Sequence, residues 1–160
     1  MKILVAFYSR SGKTKKVAKA ISDILKCDKE EIFDIKSREG ILGFLSAGTD
    51  ANFRRLTAIK EIKNTPSLYD LVIIGTPIWS SNISTPIRTY LFLYKEEFKK
   101  LAFFCTRLGS DSKKVFDDMK NISQKTPLAL LELTSREVAR DQYMQKVKEF
   151  IKNLKEEIVK

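Results

Sequence analysis

The chain contains no histidine. That absence removes histidine triads, histidine general bases and most zinc or copper sites together. Cysteine is nearly as scarce: Cys27 and Cys105 lie far apart and in no Cys-x-x-Cys pattern. A cysteine-held cluster, a zinc ribbon and a thioredoxin-type redox pair are therefore excluded, and a reducing, cytoplasmic compartment is expected. Long apolar runs are missing too. The opening stretch from Met1 to Tyr8 is too short for a signal peptide or a bilayer crossing, and no later stretch reaches that length without charge, so no membrane span is expected.

What is present is an ordinary globular composition. The chain has 160 residues, 43% of them hydrophobic and 31% charged, enough to bury a core without staples and too apolar for disorder. Residues 1–160 read as one domain, without repeat, linker or low-complexity tract. Lys plus Arg is 30 against 20 for Asp plus Glu, giving +10. The surplus is spread along the chain, with no basic arm or tail. A lysine-rich solvated surface explains this better than a nucleic-acid footprint.

Five apolar runs alternate with helical patterns: Ile3 to Tyr8, Glu31 to Ile35, Leu71 to Gly75, Leu101 to Cys105 and Leu128 to Leu133. The first, third and fourth are almost continuously apolar, as parallel strands covered on both faces require. Val17, Ile21, Ile24 and Leu25 form one helical stripe, and Val115, Met119 and Ile122 form another after Ser110, the expected N-cap. Tyr143, Val147, Phe150, Ile151, Leu154 and Ile158 make a long C-terminal stripe, and a short helix is expected after Pro86. Residues 41–56 also read as helix. The alternation gives an α/β, doubly wound parallel sheet with helices on both faces. In such sheets ligands sit at the carboxyl ends of the strands. The loops at residues 9–14, 36–40, 76–82 and 106–110 are therefore the candidate site.

The first of these loops is the richest. The first strand runs into Ser9-Arg10-Ser11-Gly12-Lys13-Thr14 and then a helix. Three hydroxyls, a glycine, two cationic side chains and a helix N-terminus converge, which is chemistry for a terminal phosphate. The plain alternative is that Ser11 and Thr14 only cap the helix, although capping needs just one of them. The spacing is neither that of a Walker A loop nor Gly-x-Gly-x-x-Gly, so a mononucleotide phosphate fits better than a pyrophosphate. After the third strand, Thr76-Pro77-Ile78-Trp79-Ser80-Ser81-Asn82 puts the only tryptophan at the ligand-bearing edge. There it either packs in the core or offers a broad aromatic face. After the fourth strand comes Thr106-Arg107-Leu108-Gly109, again a polar turn leading to a helix.

These residues carry a resemblance. Ser9-x-Ser11-Gly12-x-Thr14 resembles the phosphate loop of flavodoxins. Tyr69 to Trp79 is similar to the strand and second flavin loop of the flavodoxin-like superfamily, and Ser84 to Arg88 to the start of its next helix. Phe103-Phe104-Cys105-Thr106 resembles the strand before the third flavin loop. The match runs in order along essentially the whole chain, and the three loops together are fairly specific. It implies a flavodoxin-like five-stranded parallel sheet of order 2-1-3-4-5 and non-covalent FMN. The phosphate would be held by Ser9, Arg10, Ser11, Gly12, Lys13 and Thr14. The ring would lie along Thr76, Pro77, Ile78, Trp79, Ser80, Ser81 and Asn82, and along Thr106, Arg107, Leu108 and Gly109. The chain departs from the family at Ser80-Ser81 and at Arg107-Leu108, where glycines are frequent. It departs also in charge, because carrier flavodoxins are acidic.

Other occupants of such a fold fail on chemistry. A receiver domain needs an aspartate where Gly75-Thr76 stands, and a low-mass phosphatase needs a cysteine in the first loop. The expected activity is electron transfer between a reductase or donor and a redox protein partner. The alternative is a small FMN-dependent NAD(P)H:quinone-type oxidoreductase. A basic nucleotide- or nucleic-acid-binding module rests on net charge alone, and nucleic acid is not the expected partner.

Overall fold

A computed structural model describes residues 1–35, 56–109 and 111–160. At its centre run the parallel strands β1 (Ile3–Phe7), β2 (Asp28–Glu31), β3 (Leu71–Trp79), β5 (Leu101–Arg107) and β6 (Leu130–Thr134). A two-residue strand, β4 (Asn82–Ile83), pairs antiparallel with the end of β3. The order is β2-β1-β3-β5-β6. Counted over the parallel strands alone, this is the expected 2-1-3-4-5. The described helices are α1 (Lys13–Leu25), α2 (Thr85–Tyr94), α3 (Lys113–Ser123), α4 (Ser135–Ala139) and α5 (Met144–Val159).

The strand sequences explain the layering. Successive side chains on a strand point to opposite faces, and in β1, β3 and β5 both faces are apolar. Leu4, Ala6, Val72, Ile74, Leu101 and Phe103 pack on one side with Ile87, Tyr90 and Leu91 of α2 and Val115, Phe116 and Met119 of α3. Val5, Phe7, Leu71, Ile73, Ala102 and Phe104 pack on the other with Val17, Ala18 and Ile21 of α1 and Val147, Phe150, Ile151 and Leu154 of α5. Each such Leu, Ile or Phe contributes roughly 1.5–3 kcal/mol by leaving water. Helix boundaries follow backbone chemistry. Pro86 sits in the first turn of α2, where its missing N–H costs nothing. Lys26 ends α1 in the left-handed conformation, φ 50°.

Three expectations are corrected. The second strand is Asp28–Glu31, not Glu31–Ile35, where only an isolated bridge joins Asp34 to Ile59. The acidic β2 was hidden because Glu30 turns inward, 6% exposed, and accepts from the backbone N–H groups of Lys63 and Asn64 and from Asn64 Nδ2. Phe33 and Ile35 stay exposed instead, at 49% and 62%. The third strand extends four residues beyond Gly75, so the expected second loop is partly strand. The last strand is Leu130–Thr134 rather than Leu128 to Leu133. The helix expected over 41–56 (save Leu56), the loop at 36–40 and the Ser110 cap lie outside the described residues. Ser112 occupies the N-cap position of α3.

Candidate functional site

β1, β3, β5 and β6 all end at one sheet edge. A cleft opens there. Arg10, Ser11, Lys13 and Thr14 line it from the first loop. Pro77, Ile78 and Trp79 line it from the end of β3, Thr106 and Leu108 from the end of β5, and Ser135 from the start of α4. Four separate parts of the sequence are thus brought to one place.

The first loop forms the polar end. Gly12 sits at the N-cap of α1 with φ 85°, a conformation that favours glycine. No side chain caps α1, and no acidic residue stands in its first turn. Capping by Ser11 or Thr14 is therefore not what these hydroxyls do here. The opening N–H groups of a helix have no intrahelical partners, and Arg10 and Lys13 stand beside them. Thr14 and Thr106, both buried, share a hydroxyl–hydroxyl hydrogen bond of 2.8 Å that ties the first loop to the end of β5. Ser9 and Gly12 are outside the cleft lining. Ser9 Oγ is buried without a hydrogen-bond partner among the described residues, and such a donor is costly to leave unsatisfied.

The other end is apolar. Trp79 is 6% exposed and belongs to the core, where its ring meets Tyr8 edge-on at 5.3 Å and 88°. It lines the cleft with what remains accessible. Leu108, by contrast, is 81% exposed at the cleft rim. Thr76 points inward: its hydroxyl donates to the carbonyl of Pro77 and accepts from the Ser84 N–H. Ser80 and Ser81 form the two-residue turn between β3 and β4, both with positive φ, 47° and 58°. That is the signature of a type I′ turn, which costs a non-glycine residue roughly 1–2 kcal/mol at each position. Asn82 is buried, and its side chain serves this turn. Thr76, Ser80, Ser81, Asn82, Arg107 and Gly109 thus lie outside the lining.

Arg107 is spent on an ion pair. Its Nε and one terminal nitrogen meet Oε1 of Glu132 at 2.7 and 2.5 Å, and Oε2 of the same carboxylate accepts from Ser112. The two thiols are inert. Burial, with Glu132 adding to it, pushes Cys105 up to about 12, and burial beside Asp28 pushes Cys27 up to about 11. Neither forms a thiolate nucleophile near neutral pH.

Two residues escape sequence reasoning. Ser135 reaches the cleft because Thr134 and Glu137 cap the short α4 reciprocally. The Thr-x-x-Glu spacing announces that cap, but not its place beside the first loop. Lys114 of α3 donates to Asn82 Oδ1 at 2.8 Å and to the Ser81 carbonyl at 3.4 Å. No local signal marks it.

With this geometry established, comparison with known proteins is specific. A family model described as flavodoxin matches residues 2–153. Comparison with curated proteins returns no match. Among solved structures the chain is similar to a flavoprotein in complex with FMN from Lactobacillus acidophilus NCFM, at 26% identity and a TM-score of 0.70, covering 87% of this chain and 97% of that one. It is also similar to a flavodoxin, WrbA-like protein from Agrobacterium tumefaciens (11% identity, TM-score 0.59, covering 98% of each chain). A third likeness is to the Trp repressor binding protein from Bacillus subtilis (12% identity, TM-score 0.62, covering 93% of this chain and 98% of that one). The last two share the fold alone.

Proposed function

The chain belongs to the flavodoxin family, and from that premise we propose that it holds FMN non-covalently in the cleft and passes electrons between a reductase or donor and a redox partner. The observation that carries this reading is the state of the first loop. Among the described residues, the start of α1 has no side-chain cap and no acidic residue in its first turn, and a buried Ser9 hydroxyl has no hydrogen-bond partner. A dianionic phosphate supplies the acceptor oxygens that all of these groups want. Arg10 and Lys13 neutralise it, and Ser11 and Thr14 donate to it.

Bound FMN supplies one- and two-electron redox chemistry. The protein's part is binding and electrostatics. Pro77, Ile78 and Trp79 make one end of the cleft apolar, with Leu108 exposed at its rim. Their low polarity disfavours an added negative charge on a ring lying there. Arg107 would oppose this, but Glu132 already takes its charge. Of these two influences the apolar wall therefore has the larger say.

The test is spectroscopic. The purified protein, as isolated or after incubation with FMN, is expected to show flavin absorbance in the visible, and heat should release a ligand of FMN's mass. A colourless protein that neither gains absorbance nor quenches the fluorescence of added FMN would overturn the reading. Reduction by a ferredoxin-type reductase, with silence towards NAD(P)H plus quinone, supports the carrier. Steady NAD(P)H oxidation with a quinone and no added reductase would make the protein an oxidoreductase in its own right.

A further inference from the structure

Two stripes of side chains meet at the polar end of the cleft. Thr14, Val17, Ala18 and Ile21 fall at i, i+3, i+4 and i+7 on the buried face of α1. Ala102, Phe104 and Thr106 alternate along the face of β5 that α1 covers. Val17, Ala18 and Ile21 share a core with Ala102 and Phe104, and at its cleft end the two threonines meet. They are 2% and 4% exposed, and their hydroxyl oxygens stand 2.8 Å apart. Valine would fill either place without taking a polar group out of water, so the hydroxyls cost stability unless they have a use.

Counting hydrogens identifies the use. Two hydroxyls carry two hydrogens, and the bond they share takes one. The other finds no acceptor among the described residues, although both threonines line the cleft. Either oxygen can be the donor in the shared bond. A phosphate at the first loop decides between them, because its oxygens accept and do not donate. It takes the hydrogen of Thr14, the hydroxyl that belongs to that loop. The shared hydrogen must then come from Thr106, and a hydroxyl that accepts one bond donates a stronger one.

We infer that Thr106 is a positioning residue for anion binding: its hydroxyl donates to Thr14 and so leaves the Thr14 hydrogen for an anion at the first loop. The inference rests on the phosphate end of the FMN reading and not on the ring.

The experiment titrates the full, FMN-free chain with inorganic phosphate, FMN and riboflavin. Thr106→Val keeps the shape of the side chain and removes its hydroxyl. It is expected to bind inorganic phosphate and FMN about fivefold more weakly, the worth of one ordinary hydrogen bond. Riboflavin, which lacks the phosphate, should bind it as it binds wild type. Thr106→Ser should recover both losses. Added to Thr14→Val, Thr106→Val should cost nothing further, because it acts only through Thr14. Urea midpoints establish that each variant is folded, and Thr106→Ala takes the place of the valine variant if that one is not.

Unchanged phosphate affinity in Thr106→Val would overturn the inference. So would tighter binding, which would make Thr106 a competitor for the Thr14 hydrogen. An equal loss for riboflavin would place the effect on the ring, and a full penalty in the Thr14→Val background would show that Thr106 acts without Thr14; either result overturns it too. A wild type that binds inorganic phosphate but not FMN ends the cofactor reading alone, and the phosphate titrations still judge Thr106. One that binds neither ends both.

Discussion

Gly75 shows how one residue can be dictated by a partner far away in sequence. It pairs in register with Phe104 of β5, and a Cβ on it would lie 2.0 Å from the Phe104 ring. The glycine therefore serves close packing, because the ring occupies the space a side chain would need. Gly75→Ala must displace a fully buried aromatic ring, and overpacking of this kind costs roughly 1–3 kcal/mol. The urea midpoint should fall accordingly, and an unchanged midpoint would refute the packing account. In the sequence Gly75 is merely the glycine after an apolar run, because strand register is a tertiary property. The same limit hid Ser135 and Lys114. The candidate residues that could be read from sequence were those adjacent along the chain, such as Arg10, Ser11, Lys13 and Thr14. Those that could not be read reach the cleft or its hairpin from other elements.

At the scale of elements, α4 connects site and stability. Glu137 accepts from Lys146 and from the Thr134 backbone and hydroxyl. These donors, the lysine foremost, hold its carboxyl down at about 2, against an ordinary value near ~4.3. A group depressed in the folded state stabilises fully above its unfolded value, and that stability is lost as pH falls through the folded one. Glu137 should therefore contribute about 1–2 kcal/mol that is lost between roughly pH 5 and pH 2, after allowance for partial solvent screening, and Glu137→Gln should lose less than wild type by about that amount. Urea unfolding at pH 6 and pH 2.5 measures the difference, and equal losses would show that the cap carries no acid dependence. The central strands were legible because their apolar runs admit no other placement. Strand β2 was not, since Asp28-Lys29-Glu30-Glu31 looks like loop until Lys63 and Asn64 arrive to satisfy Glu30. No helix among the described residues is long and apolar enough to cross a membrane.

For the whole molecule the governing quantity is its charge, +10. A net field of this sign steers anions inward and repels cations, and salt screens both effects. Oxidation of the reduced flavoprotein by anionic ferricyanide should slow about tenfold from roughly 0.01 M to 1 M salt, as the Debye length shrinks from ~30 Å to ~3 Å. With cationic cobalt hexaammine the trend should reverse, and matching salt profiles would show that the surplus is neutralised where electrons leave. The doubly wound architecture was the most legible level, since apolar runs alternating with amphipathic helical stripes mark every parallel strand except β2. A last consequence comes from Trp79, which is the sole indole of the chain and forms part of the cleft wall. All of the protein's tryptophan emission therefore originates at that wall, so a simple fluorimeter can follow its occupancy in real time with no label attached.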